Sequence, residues 1–260
     1  MATASAVGRP RSTWHARATW SARDDRRAFI VWLALLWTGI LAGFGVDFSR
    51  FLHEAPPEPG VVDLHAVVFT VWMLLLTTQV LLVVGDRVAL HRRLGWFAAG
   101  WACLMAVMGP WAAFASQTLV IGGPEYDPAF LAIQLGGITE FLILLAWGIS
   151  LRRNPAAHKR IMILSTVALV DAGFNRFAEW VWPTVPASPL VWYVWAFYGN
   201  VLIVAAMASW DWWRGRLMKQ FAVGAVFLLA AEGLEDLLYH WAPWKAFTTS
   251  MIAAWARHFR

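Results

Sequence analysis

The sequence predicts an all-α membrane protein, a bundle of seven transmembrane helices with its N-terminus inside and its C-terminus outside. Three observations carry that expectation. Hydrophobic residues make up 60% of the chain and charged residues 14%, against roughly half and a quarter in a soluble domain. Seven apolar runs reach the length of about 20 residues that crosses a hydrocarbon core of about 30 Å. Basic residues gather in alternate connections: the N-terminal segment and the second, fourth and sixth loops hold 16 of the 21 Lys and Arg residues. Such a bias places those segments on the cytoplasmic side.

Residues 1–28 are polar, Arg-rich and free of acids before Asp24. No apolar run ahead of a small-residue cleavage site occurs there, so they read as a disordered basic cytoplasmic tail. The spans follow at 29–49, 62–84, 95–117, 129–150, 161–182, 190–210 and 220–240, making 29–240 one transmembrane domain. Between them EAPPEPG, GDRVALHRR, IGGPEYDP, LRRNPAAHKR, WPTVPASP and DWWRGRLMK carry the Pro, Gly and Asp that stop helices. No period-2 alternation appears, which excludes a β-barrel. Gly39 and Gly43 form a GxxxG pair that permits close helix approach. Trp32, Trp96, Trp180, Trp182, Trp210 and Trp241 sit at span ends, where indole rings anchor to the interface. Residues 241–260 read as an amphipathic tail on the outer face.

A single cysteine, Cys103, rules out intramolecular disulfides and multi-cysteine metal centres. The isoelectric point near 9.9 reflects the inner basic belt rather than a nucleic-acid partner. The partner it implies is a bilayer with anionic head groups at the inner face, alongside membrane partner subunits.

An ionisable side chain inside a bilayer costs about 2.5–3.5 kcal/mol even on lenient scales, so those present need a reason. In the fifth span Asp171, Asn175 and Glu179 recur every four residues, with Arg176 beside them. In the seventh, Glu232, Asp236 and His240 repeat that spacing and share one face, with Glu235 flanking. A rise of about 1.5 Å per residue puts Glu140, Asp171 and Asn200 near the midplane. Arg176, Glu179, Glu232, Glu235 and Asp236 then fall in the outer half, and His65, His240, Asp47 and Gln134 nearer the outer surface. One polar pocket open to the outside is expected. Glu140, Asp171, Glu232 and Asp236 are its candidate catalytic acids, and Arg176, Glu179, Glu235, Gln134 and Asn200 its binding groups. The seventh-span stripe should point inward, toward Arg176, Glu179 and His65. The plainer reading is that Arg176 pairs with Glu179 or Asp236 to hold the bundle together.

Four histidines fall at two levels: His65 and His240 near the outer face, His91 and His158 at the inner face within ALHRRLG and AAHKRIM. Two levels suit a transmembrane path through haem b, each iron held by one imidazole from each of two helices. The competing reading gives the inner turns to lipid phosphate, bound by Arg87, His91, Arg92, Lys159 and Arg160. At the outer level a divalent metal held by His65, Glu232, Asp236 and His240 competes with haem.

Three functions follow. One is a redox protein binding b-type haem or a metal. The second is an intramembrane enzyme that protonates a lipid or isoprenoid in a pocket lined by Trp180, Trp195 and Tyr198. The third is a proton-coupled carrier or structural subunit. No Walker loop, HExxH or GxSxG occurs, and the seventh span has no retinal-type lysine.

The segment DLHAVVFTVWMLLLTTQVLLVVGDRVALHRRLG, with HKRIMILSTVALVDAGFNR, resembles a bacterial family of seven-helix inner-membrane proteins. The matching positions are His65, Trp72, Gln79, Arg87, His91, Arg92, Gly95, His158, Lys159, Arg160, Met162 and Arg176. The resemblance covers about half the chain and implies seven spans and a bacterial inner membrane. It brings no activity with it.

Overall fold

The structure is a computed structural model that describes residues 22–53, 59–184 and 188–259. Among the described residues it is all-helical: α1 (Ala22–His53), α2 (Gly60–Val84), α3 (Val88–Leu119), α4 (Leu131–Ser150), α5 (Pro155–Val181), α6 (Pro189–Trp213), α7 (Lys219–Tyr239) and α8 (Ala242–Phe259). A 3₁₀ turn, Pro128–Phe130, leads into α4. Six helices, α1 to α6, are long and apolar enough to cross a membrane. The seventh apolar run, α7, has comparable length, but Glu232, Glu235 and Asp236 in its second half keep it out of that set.

Local chemistry sets the helix ends. The Asn154 side chain accepts a hydrogen bond from the Ala157 N–H at 3.3 Å, and Pro155 takes the first helical position of α5. Pro189 opens α6 in the same way. Asp86, in the tight turn between α2 and α3, has a φ of 57°, a left-handed conformation that Asp tolerates better than most residues. The N-terminal end differs from the expectation. Helix α1 starts at Ala22, so residues 22–28 belong to a helix rather than to a tail; residues 1–21 lie outside the described residues.

Helix α5 is the centre of the bundle, packed by α1, α4, α6 and α7, while α2 pairs mainly with α3. The GxxxG pair is used. A Cβ on Gly43 would fall on the Gly173 carbonyl of α5, so only glycine permits that crossing. The Phe174 ring occupies the space left by Gly39 on one side and Gly199 on the other. The bundle has two distinct ends. Asp25, Asp86, His91, Gly148, His158 and Asp211 mark a basic end, joined by contacts across α1, α2, α3, α4, α5 and α6. At the opposite end the Tyr239 hydroxyl donates to Asp127, and the Trp244 indole donates to the Ala129 carbonyl. Helix α7 runs between the ends: Gly224 meets Ile161 and Trp147, whereas Tyr239 meets Asp127. The chain after α7 is a packed helix, with α8 lying on α3 and the 3₁₀ turn and burying Thr248 and Ile252.

Candidate functional site

Four acids from three helices meet in the half of the bundle away from the basic end. Glu232 is 1% exposed, Glu140 3% and Glu235 5%. The acid stripe of α7 faces inward, as its spacing requires. The Asn200 amide donates to Glu232 Oε1 at 2.8 Å, and the Tyr193 hydroxyl reaches Glu232 Oε2 at 3.4 Å. The Glu235 and Glu140 carboxyls stand side by side within hydrogen-bonding reach, with Asp171 close to both. Asp171 accepts from the Ala172 N–H at 2.7 Å. Gly136 makes the room: a Cβ there would fall on the Glu235 carboxyl. Among the described residues Glu140 Oε1, Glu235 Oε1, Gln134 Oε1 and Asn200 Oδ1 are buried without a hydrogen-bond donor. Among the described residues none of Glu140, Glu232 and Glu235 pairs with a Lys or Arg.

The cluster leads to the surface. Asp236 follows Glu235, and His240 Nδ1 lies 2.9 Å from the Asp236 carbonyl and 3.0 Å from its carboxylate. His240 also packs against Trp192 and Tyr239. It lines a cavity of about 500 Å³ at the opposite end with Tyr126, Asp127 and Lys245.

Several expected partnerships are not formed. Arg176 does not meet the acids of α7. Its Nε donates to Asp47 of α1 at 3.3 Å, and its guanidinium lies over the Phe44 ring at 4.6 Å. The reason is rotational: α1 crosses α5 at Gly43 and Gly173, which brings its own acid to that face. Glu179 is exposed. His65 stacks on Phe69 at 4.0 Å, on a helix packed against α3, whereas Glu232, Asp236 and His240 belong to α7 against α4, α5 and α6. The structure therefore does not gather His65, Glu232, Asp236 and His240, and among the described residues no three His, Cys, Asp or Glu side chains are grouped to hold a metal. Trp180, expected to line the pocket, is 65% exposed, and the Tyr198 hydroxyl donates to the Phe174 carbonyl.

At the basic end the α2–α3 and α4–α5 turns come together. The His91 and His158 ring centroids are 6.3 Å apart with planes at 85°. Two residues expected to bind lipid phosphate are committed elsewhere. Arg160, 3% exposed, makes a bidentate pair with Asp211 at 2.6 Å for both bonds and reaches Asp25 at 3.1 Å. Lys159 pairs with Asp25 and sits over the Phe29 ring at 4.6 Å. Arg87 and Arg92 are exposed. The sequence reading missed Asp25 and Asp211, which it placed in the tail and a loop; acids inside otherwise basic segments were the signal. Comparison with protein-family models, curated proteins and solved structures finds no match to this chain. What is established is an all-helical bundle with six helices of membrane-crossing length and apolarity, holding a buried acid cluster.

Proposed function

We propose that this protein is a proton-coupled carrier of the bacterial inner membrane, with seven spans, its N-terminus inside, and protons reaching the acid cluster from the outer face. Helix α7 is the seventh span in this reading, since it runs the length of the bundle beside α4, α5 and α6. The inner side is the basic end. The single observation that carries the proposal is the group Glu140, Glu232 and Glu235, nearly fully buried and, among the described residues, without a basic partner. Adjacent carboxyls in a dry site cannot all be ionised, so protons must be held among them. Intramembrane acids arranged this way mark proton relays.

The order of groups supports a path. His240 lines the outer cavity, Asp236 contacts His240, and Glu235, Glu140 and Asp171 continue toward the middle of the bundle. Packing argues against a lipid substrate at the acids. Gly136 is needed merely to seat one carboxyl, which leaves space for a proton or small ion but not for an isoprenoid chain.

The test is proton uptake into proteoliposomes containing a trapped pH dye, driven by a valinomycin-clamped potassium gradient, with infrared spectra in H₂O and D₂O. Wild type should show protonated-carboxyl bands at neutral pH and proton flux. Glu235→Gln should remove one band and most of the flux. A wild-type spectrum without such bands overturns the reading.

A further inference from the structure

We propose a second site, independent of the acid cluster: His91, His158 and Met162 at the basic end bind a soft monovalent cation, copper(I). Both imidazoles are oriented by backbone. His158 Nδ1 lies 2.7 Å from the Gly148 carbonyl and His91 Nδ1 3.4 Å from the Gln79 carbonyl. A carbonyl only accepts, so each Nδ1 carries a proton, which leaves Nε2 as the ring nitrogen that can face a metal. Anchoring one ring nitrogen on a carbonyl while the other faces a metal is the usual outer arrangement of ligating histidines. Neither Nε2 has a partner among the described residues.

The spacing fits a shared ion. Metal–nitrogen bonds of about 2 Å would set two imidazole centroids roughly 6 Å apart, and the observed separation is 6.3 Å. A thioether packs against the same residue that orients His158. Met162 is one turn after His158 on α5, and a Cβ on Gly148 would lie 2.8 Å from its sulfur. The residue whose carbonyl fixes His158 thus also leaves space for the Met162 thioether. The Gln79 amide, whose backbone fixes His91, packs near Gly95 and keeps a buried Oε1 without a partner.

Charge and softness select the ion. A thioether with imidazoles favours copper(I) over harder ions. Among the described residues the acids of this end, Asp25, Asp86 and Asp211, are paired with Lys or Arg. Among the described residues a divalent ion would therefore find two imidazoles and no unpaired carboxylate, in a region rich in arginine. A monovalent ion has the least charge to place there.

The experiment is an anaerobic titration of detergent-purified full-length protein with copper(I) against bicinchoninate. It is made in a Cys103→Ser background, because that thiol is exposed and would bind the same ion. One equivalent should bind, and the His91→Ala, His158→Ala double variant should lose it. Met162→Leu keeps the side-chain volume and fold; it should weaken binding about tenfold and remove the sulfur shell from the copper X-ray absorption spectrum. Excess zinc(II) should not displace the ion. No bound equivalent, an unchanged double variant, or a sulfur shell that survives Met162→Leu overturns the assignment. A Soret band in the purified protein, lost with the two histidines, overturns it in favour of haem.

Discussion

The basic end and the acid cluster bury charged side chains equally deeply, and they handle them in opposite ways. Arg160, Asp25 and Asp211 are 2–3% exposed, and every charge meets an opposite one. Glu140, Glu232 and Glu235 are 1–5% exposed and meet an amide, a phenol and one another. A buried charge is tolerated when paired, or when it is neutralised by a proton. The first solution locks α1, α5 and α6 together, because moving any of them breaks an ion pair. The second stays exchangeable, because a proton can leave or arrive without a helix moving. The contrast separates a structural joint from the cluster proposed to carry protons within one bundle.

The largest expected effect comes from breaking the paired region. Arg160→Leu leaves Asp211 and Asp25 buried with too little positive charge and should cost about 3–5 kcal/mol. Glu235→Gln keeps the shape and removes a titrating group, so its cost should stay below about 1 kcal/mol. Unfolding by denaturant in detergent micelles compares the two. Equal losses would erase the distinction drawn between the regions.

A middle-sized effect tests whether the acid cluster is as tightly packed as described. Gly136→Ala drives a methyl group onto the Glu235 carboxyl and should cost about 1–3 kcal/mol, the usual range for overpacking. Combining it with Glu235→Ala should recover much of that loss. Additive losses in the double-mutant cycle would mean that Gly136 and Glu235 do not touch.

Arg176→Leu should matter less than either. Its partner is Asp47, and the two side chains are 37% and 21% exposed. A partly solvated pair contributes on the order of 1 kcal/mol or less. The same thermal or denaturant assay decides, and a loss matching Arg160→Leu would place Arg176 in a tighter environment than its geometry shows.

The all-helical fold, six of the seven expected spans and the inward turn of the α7 stripe were legible in the sequence, because run length and a period of 3.6 residues depend only on local order. Partner choice was not. Whether Arg176 meets Asp236 or Asp47 depends on how far α5 is rotated, and the Gly43–Gly173 crossing with α1 fixes that rotation. The Arg160 joint was hidden for a related reason: its two acids lie 135 and 51 residues away, on segments read as tail and loop. His91 and His158 stand in like sequence contexts, but their meeting requires α3 and α5 to start side by side. Met162 and Gln79 carried no polar alarm at all, since one is apolar and the other uncharged.

The smallest effect separates a surface pair from both buried solutions. Arg26 donates to Asp86 at 2.7 Å across the turn that joins α2 to α3, and both side chains are open to solvent. The hydrogen bond and charge of Arg26 hold the Asp86 carboxyl below its ordinary range. A carboxyl held low in the folded state stabilises it above the unfolded value and loses that contribution as pH falls through the folded value. The Arg26–Asp86 contribution should therefore be constant near neutrality and fade only in strongly acidic solution. Added salt should weaken it further, as it does for exposed pairs. Asp86→Asn should flatten this acid-side dependence and lower neutral stability slightly, more at low salt than at high, while leaving proton flux unchanged. Comparing thermal midpoints of the variant and wild type at low and high salt measures the difference. A salt-independent loss at neutral pH would show that Asp86 belongs with the buried joint rather than with the surface.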